Sequence, residues 1–317
     1  MFGMGKASRT KQAPDRRARI AAQREAARRA DQRKRIYLAG GSILAVIVVV
    51  VAFVLIKQNS GSSSGASASN GPTGAALTSL VNQTTSVPAS VLDQVGAGGS
   101  QVTAKPITLN GGTPLTSGGK PEMLYLGAEY CPYCAAERWA MIVALSRFGT
   151  FSGLATTHSA SKNGSGQAEV YPNTSTWTFA NAKYTSNYLT FTPVEMQTNI
   201  PDPSTGGYTN LQTPTSEQQA LMNKWNAPPY VPSGYQGSIP FIDFGNKYLI
   251  SGVSYSNSVL SGLNWNQIAT DLSNPNSSVA KAVDGTANYI TAAICKMTGN
   301  QSASACTATV QSLESQI

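Results

Sequence analysis

The sequence predicts an α/β domain preceded by one transmembrane helix. Three observations lead to this fold class. An uncharged apolar run covers residues 36–56, a short apolar strand leads directly into Cys-Pro-Tyr-Cys and an amphipathic helix, and two later strands meet at a Gly-Asn turn within residues 235–252. A strand followed at once by a helix, with a strand hairpin later in the chain, is typical of domains in which helices cover a sheet.

The apolar run reads IYLAGGSILAVIVVVVAFVLI and contains no charge. A helix of this length, at ~1.5 Å per residue, spans the ~30 Å hydrocarbon core of a bilayer. Residues 1–35 before it carry twelve Lys and Arg against three Asp and Glu, and only Lys57 follows it immediately. The positive-inside rule predicts a basic cytoplasmic tail (1–35), a lipid-contacting transmembrane helix (36–56) and an extracytoplasmic remainder. A cleaved secretory signal is the alternative, although both segments are longer than such signals usually have.

The net charge of +8 comes from the basic tail, because the rest of the chain has eleven basic and twelve acidic residues. The main part of the protein therefore lacks the charge of a nucleic-acid-binding domain, and we expect no nucleic-acid partner. Charged residues make up 12% of the chain, against the usual ~25%, which favours an extracytoplasmic domain. Residues 57–85 are rich in Ser, Gly, Ala, Asn and Thr and predict a flexible linker, and residues 86–317 predict the folded domain.

Two cysteines, Cys131 and Cys134, follow the buried strand predicted at 123–126 and open the next helix. If that helix begins at Pro132, the Cys131 sulfur lies at its N-terminus, where free backbone N–H groups and the helix dipole favour a thiolate. Proline suits the first helical position because the N–H that it lacks would be unsatisfied there. The spacing therefore predicts Cys131 as the attacking thiolate and Cys134 as the resolving thiol, one turn further on.

The four cysteines allow three pairings, of which the simplest joins Cys131 to Cys134 and Cys295 to Cys306. The second pair flanks a Gly- and Asn-containing turn and is predicted to be a structural disulfide. For the first pair three interpretations compete, namely a zinc site shared by all four cysteines, a structural disulfide and a redox-active dithiol. The second pair lacks zinc-knuckle spacing, and a two-residue loop constrains the unfolded chain little. We therefore favour the dithiol and expect no metal and no cofactor.

The order of strand, CxxC, helix and a much later proline before a strand hairpin resembles the thioredoxin fold. This resemblance implies that Pro240 forms a cis peptide bond beside the cysteines and that Ile239 contacts the substrate backbone. It also implies that residues 160–235 are an insertion before the cis-proline. More closely, LGAEYCPYCAAERWAMIVALSRFG and TFANAKYTSNYLTFTPVE resemble DUF929, a family of uncharacterised membrane-anchored proteins that are similar to thioredoxin-like proteins.

The resemblance also suggests supporting residues around the cysteines. Tyr130 stands where thioredoxin usually has Trp, and Pro132 and Tyr133 complete the tetrapeptide. A buried acid often assists the resolving cysteine in that fold, and Glu129 and Glu137 are candidates by sequence closeness, with a solvated surface position as the alternative for each. Arg138, one helical turn after Cys134, is placed to stabilise a thiolate, with a solvated arginine as its alternative.

The predicted function is a membrane-tethered, extracytoplasmic thiol–disulfide oxidoreductase that acts on protein cysteines. Its expected partners are protein thiols and disulfides, with a membrane redox partner as a further candidate and membrane lipid around residues 36–56. The alternative is a redox-inactive binding or scaffold domain of the cell envelope, whose disulfides are all structural. The sequence does not set the direction of transfer, because oxidants, reductants and isomerases differ in reduction potential rather than in this motif.

Overall fold

The computed structural model describes residues 71–317. The helices, in chain order, are α1 (Gly74–Thr85), α2 (Ala89–Val95), α3 (Pro132–Leu145), α4 (Ser216–Trp225), α5 (Trp265–Leu272), α6 (Ser278–Thr298) and α7 (Ala308–Glu314). The strands are β1 (Ile107–Thr108), β2 (Thr116–Ser117), β3 (Lys120–Gly127), β4 (Gly149–Ser152), β5 (Ala155–His158), β6 (Ser175–Thr178), β7 (Lys183–Ser186), β8 (Thr190–Glu195), β9 (Gln197–Asp202), β10 (Gly207–Asn210), β11 (Phe241–Phe244) and β12 (Tyr248–Ser251).

Strand β3 lies at the centre of a six-stranded mixed sheet. It pairs antiparallel with β11, where Leu126 faces Phe241, and parallel with β8, where Gly127 faces Glu195. Strands β12 and β1 extend the sheet beyond β11, and β2 pairs with the first residues of β3. Between β3 and its parallel neighbour β8, the chain forms helix α3 and the two short strand pairs. The end of β3, the start of α3 and the end of β8 therefore lie at one edge of the sheet.

Both faces of the sheet are covered, which explains the continuous apolar sequence of β3. Alternate side chains point to opposite faces. Met123 and Tyr125 belong to the larger core, which α3 and α6 cover. Leu124 and Leu126 belong to a second core on the opposite face, closed by α4. Helix α3 is thereby held against the sheet along its length, and its first turn is fixed beside the last residues of β3.

The predicted fold class, a thioredoxin-like fold preceded by one transmembrane helix, requires correction. The described residues form a mixed α/β domain, and within 71–317 no helix has the length and apolarity needed to cross a membrane. The transmembrane helix predicted at 36–56 lies outside the described residues. The segment expected to be an insertion, 160–235, includes β8, which pairs with β3 along its whole length. Part of that segment is thus a strand of the central sheet.

The structure also differs from the predicted flexible linker, because its last twelve residues form α1. Leu80 is fully buried in the larger core, and Leu77 and Val81 pack against it. These three residues have the i, i+3, i+4 spacing of one helix face. The Ser- and Gly-rich composition concealed this short apolar stripe. Docking of the stripe supplies the stability that a helix of this length lacks in isolation.

Candidate active site

The two redox-candidate cysteines lie where the central strand passes into helix α3. Cys131 is the N-cap residue, and its Sγ accepts a hydrogen bond of 3.2 Å from the backbone N–H of Cys134. Pro132 occupies the first helical position. This confirms the predicted start of the helix. The sulfur of Cys131 takes the place of the Ser or Asp oxygen that usually accepts the N-terminal N–H groups of a helix.

The same geometry separates the acidities of the two thiols. Burial alone would raise the pKa of Cys131, but hydrogen bonds from the thiol and backbone N–H of Cys134, together with the positive charge of Arg138, lower it below its ordinary value. The pKa of Cys134 is raised well above its ordinary value by burial first, and then by its hydrogen bond with Cys131 and the charge there. Of the two thiols, Cys131 is therefore the one that loses its proton more readily.

Both sulfurs are well covered. Cys131 is 4% exposed and Cys134 is 0% exposed, and both are free thiols within residues 71–317. With Ala128 they form a small apolar cluster against which Tyr130 and Ile239 pack. The Cys131 thiol donates to the backbone carbonyl of Ile239 over 3.8 Å. Side chains must move before another sulfur can reach Cys131.

The structure brings the predicted substrate-contacting pair to the cysteines. The Ile239–Pro240 peptide bond is cis, as the resemblance implied. Ile239 ends the loop that enters β11, and β11 is a direct neighbour of β3 in the sheet. The pairing of β11 with β3 therefore brings the Ile239 carbonyl beside the Cys131 sulfur, although the two residues are more than one hundred positions apart in the chain.

The loop before Cys131 is tied on both sides to the segment between β5 and β10. The N–H of Glu129 donates to the carbonyl of Gln197 (2.9 Å), and the carbonyl of Tyr130 accepts from the N–H of Ala160 (2.9 Å). The ring of Tyr130 stacks on Tyr208, with centroids 4.1 Å apart. This segment is consequently part of the wall of the site.

Tyr133, between the two cysteines, is the most accessible of the predicted site residues. It is 39% exposed, and its ring meets that of Tyr171 edge to face at 6.5 Å. The hydroxyl of Tyr208, behind Tyr130, donates to the carboxylate of Glu169. Tyr171 and Tyr208, from the segment after β5, therefore pack against tyrosines on either side of Cys131 in the sequence.

The structure shows which of the alternatives left open by the sequence applies to each charged residue near the cysteines. Glu129 is half-buried, while Glu137 is fully buried but binds Ser254 through the N–H (2.9 Å) and the hydroxyl (2.8 Å). Arg138 is fully buried and not solvated, and it forms an ion pair of 2.7 Å with Glu195. Sequence reasoning missed Glu195 as a site residue. Its one local signal is an acid that closes the apolar strand TFTPVE.

The second cysteine pair forms the predicted disulfide. Cys295, near the end of α6, is bonded to Cys306, just before α7, and both are buried in the larger core. A four-cysteine zinc site would need these two sulfurs as thiolates, whereas here they are bonded to each other. Within the described residues, no group of three or more His, Cys, Asp or Glu side chains is arranged to hold a metal ion.

Comparison with known proteins shows the family to which the chain belongs. The family described as "Domain of unknown function (DUF929)" matches residues 109–296, which include five of the six strands of the central sheet, both free cysteines, Ile239 and Cys295. Searches of the curated proteins and of the solved structures found no match to the chain. The matched residues make up more than half of the protein, and the chain therefore belongs to the DUF929 family.

Proposed function

We propose that the protein is a thiol–disulfide oxidoreductase that acts on cysteines of other proteins. The observation that carries the proposal is the division of roles between two free thiols at one helix N-terminus, where Cys131 has a lowered pKa and Cys134 a raised one. Thiol–disulfide exchange needs such a pair, because the thiolate attacks and a second thiol resolves the mixed disulfide.

The exchange balances as follows when a client disulfide is reduced. The Cys131 thiolate attacks one client sulfur, a mixed disulfide forms, and the other client sulfur leaves as a thiolate. Cys134 then loses its proton and attacks the Cys131 sulfur, which forms the 131–134 disulfide and releases the second client sulfur. Two electrons pass from the dithiol to the client, and the reverse sequence oxidises a client dithiol.

Ile239 is the proposed contact for the client backbone. Its carbonyl accepts the Cys131 S–H over 3.8 Å, and this interaction ends when the thiol loses its proton. The carbonyl then needs another donor, since a carbonyl that is partly shielded from water loses stability without one. A backbone N–H of the client can supply that donor while the client sulfur approaches Cys131. Tyr130, which packs against the two cysteines, must move aside in the same step, because Cys131 is 4% exposed.

A location outside the cytoplasm is part of the proposal. The Cys295–Cys306 disulfide supports it, because structural disulfides persist mainly in oxidising compartments. The low content of charged residues points the same way. Attachment to a membrane and a redox partner within it remain predictions from the sequence alone.

A second candidate is a redox-inactive binding domain of the cell envelope. The burial of both free thiols favours it, since a thiol without access to another protein cannot exchange. An insulin-reduction assay and a refolding assay on a reduced, disulfide-containing client separate the two candidates. The oxidoreductase requires turnover that Cys131→Ser abolishes and that the double variant Cys295→Ser/Cys306→Ser retains. Absence of turnover in both assays, or equal loss in the two variants, would establish the binding domain instead.

A further inference from the structure

A buried ion pair lies directly beneath the two cysteines. The Arg138 side chain donates from Nε to one carboxylate oxygen of Glu195 (2.8 Å) and from Nη2 to the other (2.7 Å). Both residues are fully buried. Glu195 also accepts the backbone N–H of Phe179 (3.2 Å). The pair joins helix α3 to the end of β8 at the edge of the sheet where the cysteines lie.

The pair is linked to the cysteines through Ala128. The carbonyl of Ala128 accepts from Nη2 of Arg138 (2.7 Å) and also from the backbone N–H of Cys131 (3.3 Å). Ala128 packs with Cys131 and Cys134 in one buried cluster. Cys131, Cys134 and Arg138 share one face of α3, at i, i+3 and i+7. The guanidinium is therefore fixed on the protein side of the thiols, where water does not screen its charge.

Two donors at this place have no acceptor in the structure. The Nη1 of Arg138 and the hydroxyl of Tyr125 are buried without a hydrogen-bond partner among the described residues. The Tyr125 hydroxyl lies against Gly127, where a Cβ would come within 2.1 Å of it. A buried donor without an acceptor costs ~1–3 kcal/mol, and more when it is charged. Such a site is completed by negative charge, and the group next to it that gains negative charge during exchange is the Cys131–Cys134 pair.

We propose that Arg138, oriented by Glu195 and the Ala128 carbonyl, sets the reduction potential of the Cys131–Cys134 couple by stabilising its reduced form. Reduction of the disulfide takes up two electrons and one proton and leaves one thiolate and one thiol. The disulfide is neutral, whereas the reduced form carries a negative charge that the guanidinium attracts. Arg138 therefore makes the couple more oxidising, and Glu195, with its opposite charge, limits that effect. The inference rests on the proposed exchange reaction and identifies a positioning residue for it.

The acidities of the thiols agree with this arrangement. Burial is the largest influence on both and raises the pKa of each, and the charge of Arg138 acts in the opposite direction on both. The groups that face the sulfurs are four tyrosines, Tyr125 on β3, Tyr130 in the loop, Tyr133 on α3 and Tyr208 on β10, while Glu195 on β8 faces Arg138. Among these and the residues of α3, Arg138 is the cation.

The test is an equilibrium titration of the full chain with glutathione redox buffers, which supply the two electrons as two thiols that join into one disulfide. Arg138→Met should lower the equilibrium constant for reduction about tenfold, which corresponds to about 30 mV towards a more reducing couple. Glu195→Gln should shift it in the opposite direction, because it leaves the guanidinium uncompensated. A loss of packing alone would not shift the equilibrium constant in opposite directions in the two variants.

Arg147→Met is the matched control, since Arg147 follows the same helix, is half-buried and binds Asn288 and the Ala305 carbonyl away from the cysteines. It should leave the equilibrium unchanged. Arg138→Lys keeps the charge and should stay nearer to wild type than Arg138→Met. If Arg138→Met does not fold, Glu195→Gln and Arg138→Lys decide the question. Shifts of the same sign, or no shift in Glu195→Gln, would overturn the proposal.

This result is separate from the test of the proposed function. If the variants shift the redox equilibrium in opposite directions but the protein turns over no client, the role of Arg138 is supported and the proposed oxidoreductase activity is contradicted. If the protein turns over clients but its reduction potential is the same in all variants, the oxidoreductase activity is supported and the role of Arg138 is contradicted.

Discussion

Replacement of Glu137 by Gln should remove part of the pH dependence of folding. Glu137 is fully buried in α3, and burial raises its pKa from 4.5 to about 7, although the two hydrogen bonds from Ser254 lower it. The folded protein therefore holds this proton more tightly than the unfolded chain. Its stabilising contribution is complete below about pH 4.5 and is lost as the pH rises through about 7. One pKa unit corresponds to about 1.4 kcal/mol, so the loss amounts to about 3 kcal/mol.

The measurement is urea unfolding of the full chain at a series of pH values from about 4 to 8, for wild type and Glu137→Gln. The unfolding free energy of wild type should fall by about 3 kcal/mol more than that of the variant across this range. Two other acids also have raised pKa values through burial, Asp243 to about 7 and Asp284 well above its ordinary range. Both remain in the variant, so the difference between the two curves isolates Glu137.

Glu217→Gln is the control for loss of one carboxylate. Glu217 is exposed in the first turn of α4, and hydrogen bonding from its own backbone N–H lowers its pKa. An acid with a lowered pKa stabilises the protein above its unfolded pKa, so its removal should not flatten the fall between pH 4.5 and 7. Parallel curves for wild type and Glu137→Gln would refute the assignment of a buried, protonated Glu137.

Three further outcomes follow from the structure. Removal of the Cys295–Cys306 disulfide in Cys295→Ser/Cys306→Ser, with a sequence separation of 11, should lower the unfolding free energy by about 3 kcal/mol in the chain-entropy account, measured by urea unfolding. Leu80→Ala should cost about 2–5 kcal/mol in the same assay, because the side chain is fully buried between α1 and the larger core. Cys134→Ala should raise the pKa of Cys131, measured by the ultraviolet absorbance of its thiolate, because the hydrogen bond from the Cys134 thiol is lost.

Two of these outcomes have a control in the chain. Ser79→Ala changes an exposed neighbour of Leu80 on α1 and should leave stability close to wild type, so equal losses would contradict the docking of α1. Cys134→Ser keeps a hydroxyl donor and should keep the Cys131 thiolate nearer to wild type than Cys134→Ala. Identical titration curves for these two variants would mean that the Cys134 side chain does not contribute.

The features that the sequence predicted well are those with local signals. Pro132 after Cys131, followed by an amphipathic run, indicated where α3 begins, and the helix starts at that residue. The Gly-Asn pair indicated the turn between β11 and β12, and both Gly245 and Asn246 have positive φ there. The turn between Cys295 and Cys306 likewise lies within a short stretch of chain. In each case the residues that specify the structure are close together in the sequence.

The features that it missed depend on partners far away in the chain. The sequence left open whether Arg138 is solvated and did not identify its partner Glu195, which lies 57 positions later on β8. The sequence likewise left open whether Glu137 is buried, because its partner Ser254 is 117 positions away. The helix within the predicted linker was missed because its composition outweighed three apolar residues. A single sequence contains no information on which distant side chain pairs with which, so burial of charge was the least predictable property of the site.

The ion pair beneath the cysteines is difficult to explain as a stabilising device. Replacing both members of a buried pair by apolar residues is often neutral or stabilising, whereas removing one member costs about 3–5 kcal/mol because a buried charge is left alone. Arg138→Met/Glu195→Met should therefore unfold at a higher urea concentration than either single variant with one charge left. If the double variant is as stable as wild type, stability does not require the pair. Its position beside Cys131, with one guanidinium nitrogen unpartnered among the described residues, then argues for an electrostatic role in the chemistry of the cysteines.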